Sequence, residues 1–433
     1  MSPDRRFWIA TLVIAAIGAA LRLKGIHDPI FDHPGWRQGD TAAIARNFAQ
    51  LQFNPLFPQT DYDGPPPNYV ELELQIVPFL AATLYKIFGV HEVFGRLISL
   101  AFGVATIPVV ALFGRWLFAS AVAGIAACAA YAILPGAWYY SHTFMPDTAM
   151  VFFTTCALYV CARWIVEQDA GWRGWWPAAA LLAVAFLAKP VAVTAAIPIA
   201  ACAVSRFGPR GALARPQLWA LAAAAFVPLL AYDRIVSSHA EWHWASAITT
   251  LHVLPSLRAA LTSPAAFGAK AVAFAHALKM LATTMVGPAG ALFTAVALFV
   301  PLRSRSDALV WGWLGGGLLY AYVVVTVERV DYYLYLLLPL AALLIGRLCA
   351  YAAGRWGAEP QRRTTLAAIG AVVWLVAAYG GYREIAPYYR WSAANFVRAK
   401  QLDATLAPGA LVVMGHYDPS ILYTIGRKGW EED

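Results

Sequence analysis

The chain has 433 residues, of which 60% are apolar and only 13% are charged, and its mean hydropathy is +0.58. Such a composition cannot cover a water-soluble surface, so it excludes a soluble globular protein and indicates a multi-pass membrane protein. The net charge of +8 does not indicate a nucleic-acid partner, because most of the arginines stand at the ends of apolar runs, where membrane topology explains them.

Apolar runs of about 17 to 25 residues define the topology, since a bilayer core is about 30 Å thick and a helix rises about 1.5 Å per residue. The first run follows Arg5 and Arg6 and lacks a small-residue cleavage site, so it predicts a retained helix with a cytoplasmic N-terminus. We predict about eleven membrane-spanning helices: Phe7–Leu23, Leu97–Phe118, Ala121–Tyr139, Thr148–Val166, Gly174–Ala188, Pro190–Val204, Leu218–Val236, Val286–Leu302, Ala308–Val327, Tyr332–Tyr351 and Thr364–Tyr382.

The arginines between these runs fall on one side of the membrane if the spans alternate, which is typical of short cytoplasmic loops. They are Arg5, Arg6, Arg115, Arg163, Arg173, Arg206, Arg210, Arg215, Arg303, Arg305, Arg347, Arg355, Arg362 and Arg363. The outer side then receives residues 25–96, a short loop around Pro146, residues 237–285, the turn 328–331 and the C-terminal tail.

The outer segments contain structure of their own. Asp40–Leu51 and Gln75–Phe88 are too short to cross a bilayer and predict helices that lie at its interface. The tail after Tyr382 is more polar, and its pattern predicts a strand, a turn and a short helix. We therefore predict an all-α membrane domain over residues 1–382 and a small α/β segment over residues 383–433.

Lys189 interrupts an apolar run that must cross the membrane twice, which leaves about fifteen residues, or roughly 22 Å of helix, for each crossing. The tip of this hairpin should therefore lie below the outer surface, in a cavity open to that side. A recessed cation suits a lipid-linked phosphate. The alternative is a lysine that snorkels to water from a tight turn.

Two aspartates at predicted helix starts have alternative interpretations. Asp40 precedes "TAAIARNF" and Asp147 begins the fourth span, so each can cap a helix. Capping would lower the pKa of Asp40 and weaken it as a general base. The two roles are compatible, since a carboxylate has two oxygens. Glu71 and Glu73 lie on the same outer side, and we expect them to be exposed charges at the start of an interfacial helix.

His239, Glu241 and His243 alternate in "SHAEWHW", and imidazole with carboxylate suits a divalent cation. Three residues without a fourth ligand are a weak signal, so we assign no metal site and keep a divalent metal as an alternative. The cysteines lie within apolar stretches without metal-type spacing, which predicts buried thiols with no disulfide and no structural zinc. They are Cys128, Cys156, Cys161, Cys202 and Cys349.

Several segments together resemble the GT-C superfamily of glycosyltransferases that use lipid-phosphate sugars, in the branch of aminoarabinose transferase and the protein O-mannosyltransferases. They cover residues 7 to about 350 and read "GWRQGDTAAIARNF", "YVELELQIVPFLAATLYKIFG" with "GRLISLAFG", "FMPDTAMVFF", "LAKP" and "YYLYLLLPLAAL". The resemblance implies a GT-C fold in a bacterial inner membrane, with the active site and the C-terminus on the periplasmic side.

The resemblance also implies roles for individual residues. Asp40 matches the catalytic aspartate of the first outer loop, Asp147 a second acidic residue, and Lys189 the lysine of "LAKP". Relatives often carry a basic residue before the Pro-Pro of the first loop, where this chain has Gly64, so the contact to the lipid phosphate there must come from elsewhere. Further candidates for substrate binding are Arg37, Glu71, Lys86, Arg329 and Tyr332, of which the tyrosine also suits an interfacial aromatic belt.

A sugar on a polyprenyl phosphate already carries a good leaving group, so the enzyme need only deprotonate an acceptor hydroxyl and stabilise the departing phosphate. With Asp40 as the base, we expect an inverting glycosyltransferase whose acceptor is a glycan, a lipid or a protein. A transporter or flippase of lipid-linked saccharides is the alternative. Transporters often have repeated halves, and this sequence shows no internal repeat.

Overall fold

The structure is a computed structural model that describes residues 2–301, 304–357, 359–415 and 418–431. Leu302 and Arg303, which belong to predicted features, lie outside this part of the chain. The helices up to the middle of the chain are α1 (Pro3–Arg22), α2 (Gly35–Gln50), α3 (Ile76–Phe88), α4 (Glu92–Leu117), α5 (Ala121–Ile133), α6 (Pro135–Tyr140), α7 (Asp147–Glu167), α8 (Trp175–Ala188), α9 (Ala196–Leu213) and α10 (Pro216–Ser237).

The second half is built in the same way and ends in two short strands. Its elements are α11 (Trp244–Ala247), α12 (Leu254–Thr262), α13 (Pro264–Met280), α14 (Pro288–Leu298), α15 (Asp307–Tyr320), α16 (Thr326–Glu328), α17 (Leu338–Trp356), α18 (Pro360–Ile385), α19 (Ala393–Thr405), β1 (Val412–Met414), α20 (Pro419–Thr424) and β2 (Gly429–Glu431). Pro190–Ala195, Asp331–Leu337 and Ala386–Tyr389 form 3-10 helices, and Ile248–Val253, Leu281–Met285 and Ala321–Val325 are π-helical.

The predicted all-helical membrane fold is confirmed. Within the described residues, eight helical stretches are long and apolar enough to cross a bilayer, and shorter apolar helices such as α5, α8 and α14 accompany them. Each predicted span overlaps a helix of the structure. The five cysteines are free thiols; Cys128, Cys161 and Cys202 are buried as predicted, whereas Cys156 is only half-buried and Cys349 is exposed on an apolar helix.

One long apolar helix, Pro264–Met285, was not predicted as a span, and its contacts show how it lies. Near its start, Lys270 Nζ donates to Thr326 Oγ1 at 2.8 Å, and its end packs against Gly136. Thr326 and Gly136 both lie at the end of the bundle where Tyr140 bonds Asp331. The helix therefore lies across that end, as predicted for residues 237–285.

The arginine-rich loops gather at the opposite end of the bundle. Arg163 and Arg305 both approach Glu167, at 2.8 and 3.6 Å, and Arg115 pairs with Asp4 beside the N-terminus. Arg115, Arg163 and Arg305 thus mark one end of the molecule. That this end faces the cytoplasm stays a prediction.

The first outer loop differs from its prediction in one respect. Helix α2 begins at Gly35, five residues before Asp40, and nearly all of it is buried under α3 and α20. It is therefore an internal helix and not an interfacial one. Helix α3 begins one residue after Gln75, close to its predicted start.

The C-terminal segment has the predicted strand, short helix and turn. Strands β1 and β2 pair in parallel, and β2 also reaches the first loop, where Gly64 N donates to Gly429 O at 2.8 Å. Helix α20 packs on α2. The boundary at residue 382 stays a prediction, since α18 runs through it to Ile385.

Candidate active site

Helix α2 carries Asp40 and Arg37 one turn apart on the same face. Asp40 is only 1% exposed, and its Oδ2 lies 3.8 Å from Arg37 Nη1. The capping alternative for Asp40 is wrong, because the helix begins at Gly35 and Asp40 lies within it. The carboxylate is therefore not committed to the backbone amides of a helix start.

The surroundings of Asp40 raise the pKa of this carboxyl group. Burial raises the pKa to about 7, against the opposing effects of the Arg37 guanidinium and a hydrogen bond from Tyr62. Among the described residues, Asp40 Oδ1 has no hydrogen-bond partner. A buried carboxylate with a free oxygen and a pKa near neutrality has the properties of a general base.

Arg37 links Asp40 to a second acidic residue. Its Nη2 donates to Glu73 Oε1 at 2.8 Å, and both side chains are buried. The Arg37 guanidinium thus lies between the carboxylates of Asp40 and Glu73, and its shorter contact is the one with Glu73. One of its two terminal nitrogens remains directed toward Asp40.

Lys189 and Asp147 form the second part of the site. Lys189 lies between α8 and the 3-10 helix at Pro190, in extended backbone, as expected for a hairpin tip. Its Nζ donates to Asp147 Oδ1 at 2.7 Å and lies 5.3 and 5.0 Å from the ring centres of Tyr332 and Tyr333. At 8% exposure, Lys189 does not snorkel into water.

The capping interpretation of Asp147 is also wrong. Asp147 is the first residue of α7, but its side chain makes no capping hydrogen bond. One carboxylate oxygen binds Lys189, and the other has no partner among the residues the structure describes. The side chain therefore points into the site and not along its own helix.

The two parts meet at Tyr332. The strongest charges that act on this side chain are those of Arg37, Asp147 and Asp40, apart from the neighbouring Tyr333. We call this set the charged cluster; it consists of Arg37, Asp40, Glu73, Asp147, Lys189 and Tyr332. Segments distant in the chain thus bring two free carboxylate oxygens, an ammonium and a guanidinium to one end of the bundle.

Three predicted binding residues lie outside the charged cluster. Glu71, like Glu73, is buried, so the prediction of exposed charges is wrong. Glu71 accepts hydrogen bonds from Ser237 Oγ and from the amide and hydroxyl of Ser246. Lys86 is exposed on the last turn of α3, where its ammonium lies over the Phe53 ring. Arg329 is exposed in a left-handed backbone conformation (φ 55°) after α16.

The histidines of the alternating motif have different neighbours. His243 Nδ1 lies 3.6 Å from Glu71 Oε2, while His239 stacks on Phe57. In the described ranges, no group of three or more histidine, cysteine, aspartate or glutamate side chains is arranged to hold a metal ion. Metal dependence stays an open question for experiment.

Sequence reasoning missed part of the polar network behind the site. Arg96 binds Asp32 with 2.7 and 3.2 Å hydrogen bonds, and His142 Nε2 lies 3.6 Å from the same carboxylate. Although burial opposes it, the Arg96 guanidinium and His142 hold the pKa of Asp32 well below its usual range. Asp331 accepts from the hydroxyls of Tyr140 and Tyr388. No spacing rule in the sequence links these residues.

Comparison with known proteins gives a family match over part of the chain and a fold over nearly all of it. Residues 75–232, which contain Asp147 and Lys189, match the family described as dolichyl-phosphate-mannose-protein mannosyltransferase. No curated protein matches the chain by sequence. Among solved structures, ArnT from Cupriavidus metallidurans bound to undecaprenyl phosphate is 13% identical, with a TM-score of 0.67 over 98% of this chain and 85% of that one.

A second solved structure has the same fold in a longer protein. The archaeal oligosaccharyltransferase AglB from Archaeoglobus fulgidus, in complex with an inhibitory peptide and a dolichol-phosphate, is 12% identical, with a TM-score of 0.61. The alignment covers 100% of this chain and 65% of AglB. These matches show that the chain has the multi-pass membrane fold of these two structures, which is the fold that the resemblance implied.

Proposed function

We propose that the protein is an inverting glycosyltransferase that moves a sugar from a polyprenyl phosphate to a hydroxyl acceptor at the periplasmic face of a bacterial inner membrane. The proposal is supported most directly by the charged cluster, which gathers a free carboxylate of raised pKa and two cations at one end of the bundle. The ArnT and AglB structures contain undecaprenyl phosphate and dolichol-phosphate respectively, which makes a polyprenyl phosphate the donor carrier to expect here.

The donor phosphate would bind at Lys189 and Arg37. Both cations are buried, so their attraction to a phosphate is screened far less than at a surface. Each is already paired with a carboxylate, Lys189 with Asp147 and Arg37 with Glu73. A phosphate that binds between them shares the cations with these carboxylates, which keep the empty site electrically balanced.

Asp40 would activate the acceptor. Its free Oδ1 takes the proton of the acceptor hydroxyl while that oxygen attacks C1 of the sugar. The C1–O bond to the phosphate breaks, and the electron pair leaves with the phosphate oxygen, which Lys189 and Arg37 stabilise. Attack from the face opposite the leaving group inverts the configuration at C1.

The orientation in the membrane follows from charge. The arginines lie at the end opposite the charged cluster, and arginine-rich short loops are retained in the cytoplasm. The site then opens to the periplasm, with the N-terminus in the cytoplasm and the C-terminal segment on the periplasmic side.

A transporter of lipid-linked saccharides would need polar groups along a path through the bundle, with binding near the membrane midplane. The charged cluster at one end favours chemistry over transport.

The decisive experiment supplies the purified protein with a panel of polyprenyl-phosphate sugars and a mixture of hydroxyl acceptors (glycans, lipids and peptides), and follows the release of polyprenyl phosphate by mass spectrometry. We expect the wild type to release polyprenyl phosphate. Asp40→Asn should lose this activity, and Asp307→Asn, at the opposite end of the bundle, should retain it. Intact donor after incubation with every sugar in the panel, or equal release by Asp40→Asn, would overturn the proposal. A parallel reaction with EDTA measures metal dependence.

A further inference from the structure

The C-terminal segment is packed directly against the turn of α2 that carries Asp40. A β-carbon built on Gly39 would lie 2.6 Å from the amide nitrogen of Ser420, so only glycine permits this approach. Gly429 bonds the first loop on both sides, its amide to Asp61 O at 3.0 Å and its carbonyl to the amide of Gly64. Residues 418–431 are therefore a wall of the site.

This wall presents polar groups that have no protein partner among the residues described. The Ser420 hydroxyl is fully buried and unpaired, and so are both carboxylate oxygens of the partly exposed Glu431. Asp40 Oδ1 adds a third unpaired group to the same region. Buried polar groups in native proteins nearly always have a partner, so unpaired groups from two segments point to a ligand that binds between them.

The electrostatics on the two sides of Asp40 differ. The strongest charges acting on Glu431 are all carboxylates, those of Asp40, Asp418, Asp63 and Asp61. The nearby cations, Arg46 and Lys428, both pair with Asp61, and within the described residues no ion pair joins a cation to Asp63, Asp418 or Glu431. On the Lys189 side, by contrast, Arg37 and Lys189 balance the carboxylates. Asp40 thus stands between a region whose carboxylates have cationic partners and a region that is rich in carboxylates without them.

This asymmetry fits the two substrates of the proposed reaction. The donor phosphate would bind on the side of Arg37 and Lys189, and an inverting reaction places the acceptor on the opposite face of C1. Burial and the surrounding carboxylates raise the pKa of Glu431 to about 9, so at neutral pH this side chain keeps its proton and can donate a hydrogen bond. Asp418 supplies an acceptor oxygen beside it.

We propose that Asp418, Ser420 and Glu431 form the acceptor subsite, which takes a neutral or cationic hydroxyl-bearing acceptor and excludes an anionic one. The proposal rests on the proposed function and adds the charge class of the acceptor. A carboxylate or phosphate on the acceptor would lie close to the carboxylates of Asp40 and Asp418, where the described residues offer it no unpaired cation. Sugar hydroxyls, by contrast, match the mixture of donors and acceptors.

The test measures binding and does not depend on turnover. The full-length protein in nanodiscs of neutral lipid is titrated with octyl glucoside and with octyl glucuronide, which differ in one CH₂OH-to-carboxylate change. We expect at least tenfold weaker binding of the glucuronide, by microscale thermophoresis. In the Asp418→Asn/Glu431→Gln variant the ratio of the two Kd values should fall about tenfold, since asparagine keeps the cap of α20 and the charge is lost.

A matched control removes two acids at the other end of the bundle, in Asp307→Asn/Glu359→Gln, and should keep the wild-type ratio. Comparison between variants cancels the different partition of the probes into lipid. Equal affinity for the probes, no binding of either, or an unchanged ratio in Asp418→Asn/Glu431→Gln would overturn the subsite. Donor cleavage is assayed separately. If the probes bind without charge selectivity but the donor is cleaved, the subsite is rejected and the proposed function stands. If the probes bind with charge selectivity but the donor is not cleaved, the proposed glycosyltransferase function is rejected, and the three residues form a binding site without that role.

Discussion

Lys189 and Asp147 form a buried ion pair, with Nζ 2.7 Å from Oδ1, between a hairpin tip and the first residue of α7. Removal of one member of a buried pair leaves an uncompensated charge, which costs about 3–5 kcal/mol, whereas removal of both is far less damaging. The pair therefore makes different predictions for stability and for activity.

Lys189→Met should lower the melting temperature and raise the KM for the donor at least tenfold, because it removes both a charge partner and a phosphate ligand. The double variant Lys189→Met/Asp147→Asn should recover most of the melting temperature and none of the donor affinity. Lys189→Arg, which keeps the charge, serves as the control. If the double variant regains wild-type KM, then Lys189 is purely structural.

The raised pKa of Asp40 predicts the pH dependence of transfer. Since burial raises the pKa to about 7 and only the ionised form accepts a proton, kcat/KM should rise about tenfold per pH unit below pH 7 and level off above it. The groups that act on this carboxyl group are Arg37, Tyr62, Asp61, Asp418 and Glu431. Asp40→Asn should reduce transfer by about 10² to 10⁴ and leave the residual rate independent of pH between 6 and 8. A wild-type profile that is flat from pH 5 to pH 9 would contradict the role of Asp40 as base.

The raised pKa of Asp40 makes stability fall with rising pH, whereas transfer activity rises. The folded pKa of Asp40 lies above its unfolded value, so the folded state binds more protons between about pH 4 and pH 7. Stability should therefore fall as the pH rises through this range. Melting curves of the wild type and Asp40→Asn at pH 5 and pH 8 measure this difference, and the variant should lose less melting temperature on going to pH 8.

Glu71 and Glu73 are two residues apart and both buried, yet they bind different partners. Glu73 holds Arg37 in the charged cluster, whereas Glu71 holds Ser237 and Ser246. Glu73→Gln should lower transfer at least tenfold, because it weakens the contact that positions Arg37. Glu71→Gln should change transfer less than threefold and mainly loosen residues 237–246, as read by hydrogen exchange. The reverse order of effects would place Glu71 in the site.

The sequence was sufficient to predict which segments form the long apolar helices, because apolar length is a local property. It did not show that α2 begins at Gly35, since that helix is buried by α3 and α20 and so lacks the amphipathic period of a surface helix. Composition also could not separate a crossing helix from one that lies across the bundle, as at Pro264–Met285, where only the contacts of Lys270 and Met285 decide.

The site itself was partly predictable for a related reason. A charge in an apolar run, such as Lys189, stands out in any sequence, but which of two nearby glutamates faces Arg37 depends on the path of the loop. The approach of Glu431 to Asp40 joins the two ends of the chain. Such a contact depends on how α20 docks on α2, and no local sequence pattern predicts it.

Gly39 provides a test of that docking. A methyl group at this position would lie 2.6 Å from the Ser420 nitrogen and 2.7 Å from its Cα, and backbone atoms cannot move aside as a flexible side chain can. Gly39→Ala should therefore displace α20 from α2, expose residues 406–431 to limited proteolysis and reduce transfer at least tenfold. Gly380→Ala is the matched control, because nothing lies within 4 Å of its β-carbon and alanine favours a helix by about 1 kcal/mol; it should leave proteolysis and transfer unchanged. If Gly39→Ala behaves like this control, then the close packing of the C-terminal segment beside Asp40 is not required for transfer. The proposed acceptor subsite would then lose its structural basis.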